Sequence, residues 1–121
     1  MANTVRLYFK EPMSASLTSV PVDCRGYNKV SFHNRYGAGA NGNFTYEFTN
    51  NPVVLGNADD ADAGWIAVTP STTHGTQPNG GGAGQFGVVF VDGFRFVRQK
   101  WTRTAGAATD LLTTNVDLDN G

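Results

Sequence analysis

The sequence predicts an all-β fold, an antiparallel β-sandwich or jelly roll of about eight short strands, in one domain spanning residues 1–121. Three observations predict it. Apolar and polar residues alternate at period two, most cleanly over residues 43–49. There Phe44, Tyr46 and Phe48 face one way, and Thr45, Glu47 and Thr49 face the other. Helical periodicity is nearly absent. Gly, Pro and Asn break the chain at short intervals, with 15 Gly and 5 Pro. Short strands separated by such turns imply two packed antiparallel sheets.

The elements follow in order. Val5, Leu7 and Phe9 alternate with Arg6, Tyr8 and Lys10, which predicts a strand that Glu11-Pro12 ends, since Pro donates no ladder hydrogen bond. Residues 17–22 form a second short strand, and Pro21 inside it marks an edge or a bulge. Residues 26–34 come next, with Val30 and Phe32 inward and Ser31 and His33 outward. A glycine-rich loop, residues 36–42, leads to the 43–49 strand. Asn50-Asn51-Pro52 turns the chain into Val53-Val54-Leu55. Residues 56–64 form an acidic loop, and residues 65–68 another strand with Trp65 and Ala67 on one face. Residues 70–84 are polar and glycine-rich and read as a long loop, of the kind that is usually functional or mobile.

Residues 85–103 read as a hairpin on which the rest of the chain is organised. Asp92-Gly93 sits between apolar runs, and Gly supplies the positive φ that a tight turn needs. The first arm is apolar on both faces: Phe86, Val88 and Phe90 on one, Val89 and Val91 on the other. That pattern suits a strand covered on both sides. The second arm starts with Phe94 and Phe96 and runs out to a polar rim. Residues 105–112 read as one helical turn, and residues 109–118 as a last strand or an extended arm.

Composition limits the function. Nine Lys and Arg against ten Asp and Glu give a net charge of -1. That balance argues against a general nucleic-acid or anionic-membrane binder. No run approaches a transmembrane length, and the first residues contain no apolar stretch of the kind a secretory signal carries. The chain is therefore expected to be made in a cytoplasm and not exported by a classical signal. Charged residues are only 16%, which implies that a partner covers part of the surface. The single cysteine, Cys24, allows no intrachain disulfide and no cysteine-based zinc site, and reads as a buried structural thiol.

No motif signals catalysis. Gly82-Ala-Gly84-Gln-Phe-Gly87 has dinucleotide-loop spacing but opens a strand, where a phosphate meets no helix terminus. Asp59, Asp60 and Asp62 place three carboxylates in one loop. The closing Glu of a calcium loop is missing, so a solvated loop outweighs a cation site. His33 and His74 are the only histidines and lack metal-ligand spacing. G-x-S-x-G is absent. Neither cofactor nor metal is implied. Tyr8, Tyr27, Tyr36, Trp65 and Trp101 offer flat rings that sugars stack on, although sandwich aromatics are mostly core. Trp101, flanked by Lys100 and Arg103, is the best placed of them for a surface contact.

Two stretches carry a resemblance: Gly26-Tyr-Asn-Lys-Val-Ser-Phe32 and Phe94-Arg-Phe-Val-Arg-Gln-Lys-Trp-Thr-Arg-Thr-Ala-Gly106. With them the chain resembles small β-sandwich virion proteins of tailed bacteriophages, the capsid decoration (cement) proteins above all. The resemblance implies a non-enzymatic, oligomeric protein, dimer or trimer, made in the bacterial host. It would sit on the capsid exterior and bridge major capsid subunits. It implies contacts through Arg6 and Tyr8 near the N-terminus, His74 in the long loop, Arg95, Arg98, Trp101 and Arg103 on the late strand, and Leu111 and Leu112 near the C-terminus. The terminal segments, residues 2–9 and 109–121, would pair with edges on a neighbour. The alternative is a carbohydrate-binding or host-adhesion domain of a phage tail or head fibre.

Overall fold

The computed structural model describes residues 3–79, 82–91 and 93–120. The strands are β1 (Asn3–Pro12), β2 (Leu17–Thr18), β3 (Val22–Asp23), β4 (Lys29–Tyr36), β5 (Asn41–Thr49), β6 (Ile66–Ala67), β7 (Thr72–Gly75), β8 (Gly84–Phe90), β9 (Phe96–Ala105) and β10 (Leu111–Asp119). They form two antiparallel sheets. The first runs β1-β10-β4-β8-β7, and the second β2-β9-β5-β6 with β3 also on β9. Taking β2 with β3 as one strand interrupted at Pro21, and setting the edge strand β7 aside, leaves the eight strands and cross-sheet connections of a jelly roll.

Period two decides what is buried. On β4, Val30, Phe32, Asn34 and Tyr36 face in. On β10, Leu112, Thr114, Val116 and Leu118 do. From the second sheet Phe44, Tyr46, Val97 and Trp101 meet them. The aromatic rings interlock: Phe44 stacks on Phe86 with centroids 5.9 Å apart, and Phe32 tilts against Tyr46 at 5.0 Å. Cys24 is in this core, and burial, with Asp23 beside it, pushes its thiol up to about 12.

The structure corrects several expectations. The hairpin does not form. β8 lies in the first sheet and β9 in the second, so the chain passes from one sheet to the other between Phe90 and Phe96. Phe90 and Phe94 both reach into the core and meet edge-to-face at 5.9 Å, which requires that crossing. Asp92 lies outside the described residues. β8 is covered on one face only, and Val91 is largely exposed. Val53-Val54-Leu55 belong to a short 3-10 helix, Pro52–Leu55, capped by the Asn51 carboxamide oxygen. Residues 105–112 form no helical turn, since β9 runs to Ala105 and β10 starts at Leu111, and of the two readings of residues 109–118 the last strand holds, with β10 between β1 and β4. The long polar loop contains β7, which pairs with β8.

Four buried polar side chains close a ring across the two sheets. Asn34 Nδ2 donates to the Tyr46 hydroxyl at 3.3 Å. That hydroxyl donates to Gln99 Oε1 at 2.7 Å. Gln99 Nε2 donates to Thr114 Oγ1 at 3.4 Å, and Thr114 returns its proton to Asn34 Oδ1 at 2.6 Å. Each donor polarises the next, which strengthens the ring in a low-dielectric core.

Candidate functional site

The two outer faces differ. Over the second sheet, residues 50–65 fold back as a cover. Val54 and Ala63 pack on Phe96, with Val53 and Trp65 at the margin. Thr49 Oγ1 donates to the Ala63 carbonyl and Trp65 Nε1 to the Ala58 carbonyl, which fastens the cover down. No such segment lies over the first sheet among the described residues. Its outer face presents Thr113, Asn115 and Asp117 from β10, Ser31, His33 and Arg35 from β4, and Gln85, Gly87 and Val89 from β8.

Two adjoining grooves mark this open face. One has a volume of about 510 Å³ and is lined by Lys10, Arg35, Tyr36, Gln85, Leu111 and Thr113, among others. The other, about 340 Å³, is lined by His33, His74, Gln85, Gly87 and Val89, among others. Gln85 belongs to both. Register builds the second groove: His33 and His74 both lie directly opposite Gly87, one on each side. Where a side chain would stand between them there is none. The Gln85 amide oxygen lies 2.6 Å from His33 Nε2 and fixes that ring.

At the first groove, β1 is irregular. Its pairing with β10 shifts register twice, and Lys10 holds a left-handed φ of 52°. Its backbone N–H is taken by Thr113 Oγ1 at 3.2 Å. The guanidinium of Arg6 lies 4.6 Å, and Lys10 Nζ 5.3 Å, from the Phe9 ring. These bulges and charges blunt the β1 edge. Regular ladder geometry for pairing with a neighbour remains only over residues 3–6.

The expected contact residues scatter. Arg6, His74 and Leu111 lie on the open face or its margin. Tyr8 faces the core side opposite Thr114, and burial, with Glu11 nearby, pushes its hydroxyl up to about 12. Trp101 and Leu112 are 1% and 0% exposed and cannot be contacts. Alternation turns Lys100 and Leu111 outward and their neighbours Trp101 and Leu112 inward. Arg98 points outward but lies under the cover. It is held by Glu47 at 2.9 Å and Asp59 at 3.2 Å, with Trp65 4.3 Å from its guanidinium. Arg95 pairs with Asp23 at 3.6 Å. Arg103 is exposed on the second sheet and donates to the Gly106 carbonyl.

The acidic loop is built into the cover. Asp59 is paired with Arg98, and Asp60 accepts the Asp62 backbone N–H at 2.9 Å. Among the described residues no group of three or more His, Cys, Asp and Glu is arranged to hold a metal ion. No helix among them is long and apolar enough to cross a membrane. The open face and the meeting of the two histidines escaped sequence reasoning. Gly87 in the middle of a strand was the available signal.

No protein-family model matches the chain, and no curated protein matches it in sequence. Its fold is similar to that of the SPBc2 prophage-derived protein YomS, with a TM-score of 0.59 and 8% identity over 98% of this chain and 96% of that one. The K1 cleaved adhesin domain of Lys-gingipain from Porphyromonas gingivalis W83 matches more loosely, with a TM-score of 0.43 and 14% identity over 88% of this chain and 63% of that one. At these identities the likeness concerns the fold alone.

Proposed function

We propose that the chain is a non-enzymatic structural protein of a tailed-phage virion, which decorates the capsid exterior and bridges neighbouring major capsid subunits as a homo-oligomer. The observation that carries this reading is the asymmetry of the sandwich: one outer face is covered by the chain's own residues 50–65, and the other is left open and polar. A rigid body with one free face supplies a preformed contact surface, and many symmetry-related weak contacts add by avidity. A prophage-derived protein of similar fold across nearly its whole length supports the phage setting. The glycan-binding alternative is less well supported, since Tyr36 and Trp101 are core and one face of the Trp65 ring is taken by the Arg98 guanidinium.

The test is co-sedimentation with undecorated capsid shells of the source phage. The expected result is saturable binding at a fixed number of copies per shell, abolished by Arg35→Glu on the open face and unaffected by Arg103→Glu on the other sheet. A folded protein that does not bind shells ends the decoration reading. Glycan screening, with and without calcium, then becomes the next experiment.

A further inference from the structure

We infer that the two adjoining grooves on the open face form one recognition trough for an extended segment of a partner protein, with a carboxylate anchored between Lys10 and Arg35 and a bulky apolar side chain seated over Gly87. The inference rests on the open face being a contact surface, and deepens that reading by naming what the face takes.

The first support is charge. Lys10 and Arg35 line the same groove, and among the described residues neither is in an ion pair. The acids nearby are committed or turned away. Asp110 accepts the backbone N–H groups of Gly39 and Ala107. Asp117 accepts the Thr4 hydroxyl and stands four residues along β10 from Thr113, roughly 13 Å away. Glu11 is opposite the core residue Leu112. Two cations lining a groove with no acid among its walls favour a carboxylate, which Arg35 can hold with two parallel hydrogen bonds.

The second support is Gly87. Its backbone does not need glycine, because its φ is outside the left-handed region. A Cβ there would meet only ordinary neighbours, the Phe32 carbonyl oxygen at 3.4 Å and His74 Cβ at 3.9 Å. Glycine inside a strand costs about 0.5–1 kcal/mol relative to alanine. A costly glycine that the fold does not require marks a place where another group approaches. The walls are the two imidazoles and Val89, and the floor is bare backbone.

The third support is spacing. Arg35 is opposite Gln85, and Gly87 is two residues further along β8. Two residues of strand span about 7 Å, and one strand-to-strand step adds about 4.8 Å at right angles. Arg35, as the carboxylate's main holder, and the Gly87 slot are thus roughly 8 Å apart, close to the reach of two to three residues of extended peptide. The trough therefore selects an acidic residue placed two or three positions from a large apolar one.

The probe is a capped heptapeptide, Gly-Ser-Glu-Gly-Phe-Ser-Gly, with counterparts carrying Gln for Glu or Ala for Phe. Each is titrated at millimolar concentration into the full chain and followed by amide chemical shifts. The expected result is shifts clustered on β4, β8 and β10 around Arg35, Gln85 and Thr113. Affinity should fall about tenfold with the Gln counterpart, with 0.5 M salt and with Arg35→Glu or Arg35→Gln. Gly87→Val should remove the preference for Phe over Ala while leaving the preference for Glu. Absent or scattered shifts, or a response that ignores the variants, would overturn the inference. All three variants change outward-facing positions, and retained amide dispersion confirms their fold. No shell is used, so peptide binding without shell binding would keep the trough and dismiss the capsid as the partner.

Discussion

Tyr46→Phe tests the polar ring that joins the sheets. The change removes one oxygen and leaves the ring of Tyr46 in place against Phe32 and Phe90. Two hydrogen bonds disappear, but their loss is unequal. Asn34 Nδ2 keeps the Phe86 carbonyl at 3.2 Å. Gln99 Oε1 loses the Tyr46 hydroxyl at 2.7 Å and is left in a fully buried side chain. An orphaned buried acceptor costs about 1–3 kcal/mol, so we expect a loss of about 2 kcal/mol. Gln99→Met alone also costs, because it frees the Tyr46 proton. The double variant removes donor and acceptor together and replaces them with an apolar side chain of similar volume, so it should be less destabilised than the sum of the two. The expected coupling is about 1–2 kcal/mol. The assay is urea unfolding of all four proteins, read as midpoint shifts at unchanged slope. A Tyr46→Phe cost under about 0.5 kcal/mol, or additivity within about 0.3–0.5 kcal/mol, would refute the ring as a coupled unit.

Three further outcomes follow from the same physics. Arg98→Ala should cost about 2 kcal/mol by thermal unfolding, because it leaves the partly buried Glu47 with only Lys100 at 4.0 Å and removes the cation from the Trp65 ring; the largely exposed Asp59 adds little. Asp110 is held below the usual aspartate value by the Ala107 and Gly39 N–H groups. A lowered folded value means its contribution is intact above about pH 3.9 and lost as pH falls through the lower folded value, so Asp110→Asn should unfold at lower temperature at pH 7 while losing less than the parent between pH 5 and pH 2. With its thiol pushed up to about 12, Cys24 should resist a disulfide reagent at pH 8 in the folded protein and react promptly in denaturant. Fast native reaction would place the thiol at the surface.

The strands with one apolar and one polar face were legible because period two alone fixes their orientation. Residues 43–49 and Val30 with Phe32 read correctly for that reason, as did the break at Pro21. Cys24 read correctly because an isolated thiol without a nearby base has little use except packing. The change of sheet between β8 and β9 did not, because an Asp-Gly pair between apolar runs fits a hairpin equally well when only local twist is considered. The deciding contact, Phe90 against Phe94, needs both sheets in place. Trp101 was misplaced by judging it from its charged neighbours; alternation turns those outward and the indole inward. Asn34, Gln99 and Thr114 are polar residues at inward positions, and no single sequence says that three such positions meet.

The division of labour between the faces follows from the same contrast. On the second sheet the residues that would otherwise make a sticky outer surface, Phe96 and Arg98, are consumed within the chain: Phe96 by Val54 and Ala63, Arg98 by Glu47, Asp59 and Trp65. A face already satisfied offers little free energy to a partner. On the first sheet Arg35 and Lys10 are left without an ion pair and the Gly87 slot is left empty, although a side chain at Gly87 would fit and no acid stands in the groove wall to pair the cations. A strand glycine that the fold does not require costs stability, which a bound partner would recover. The two cations without an ion pair and the glycine slot lie on one side, so that side is the one proposed to meet a partner, and the second sheet is the control surface for the binding experiments.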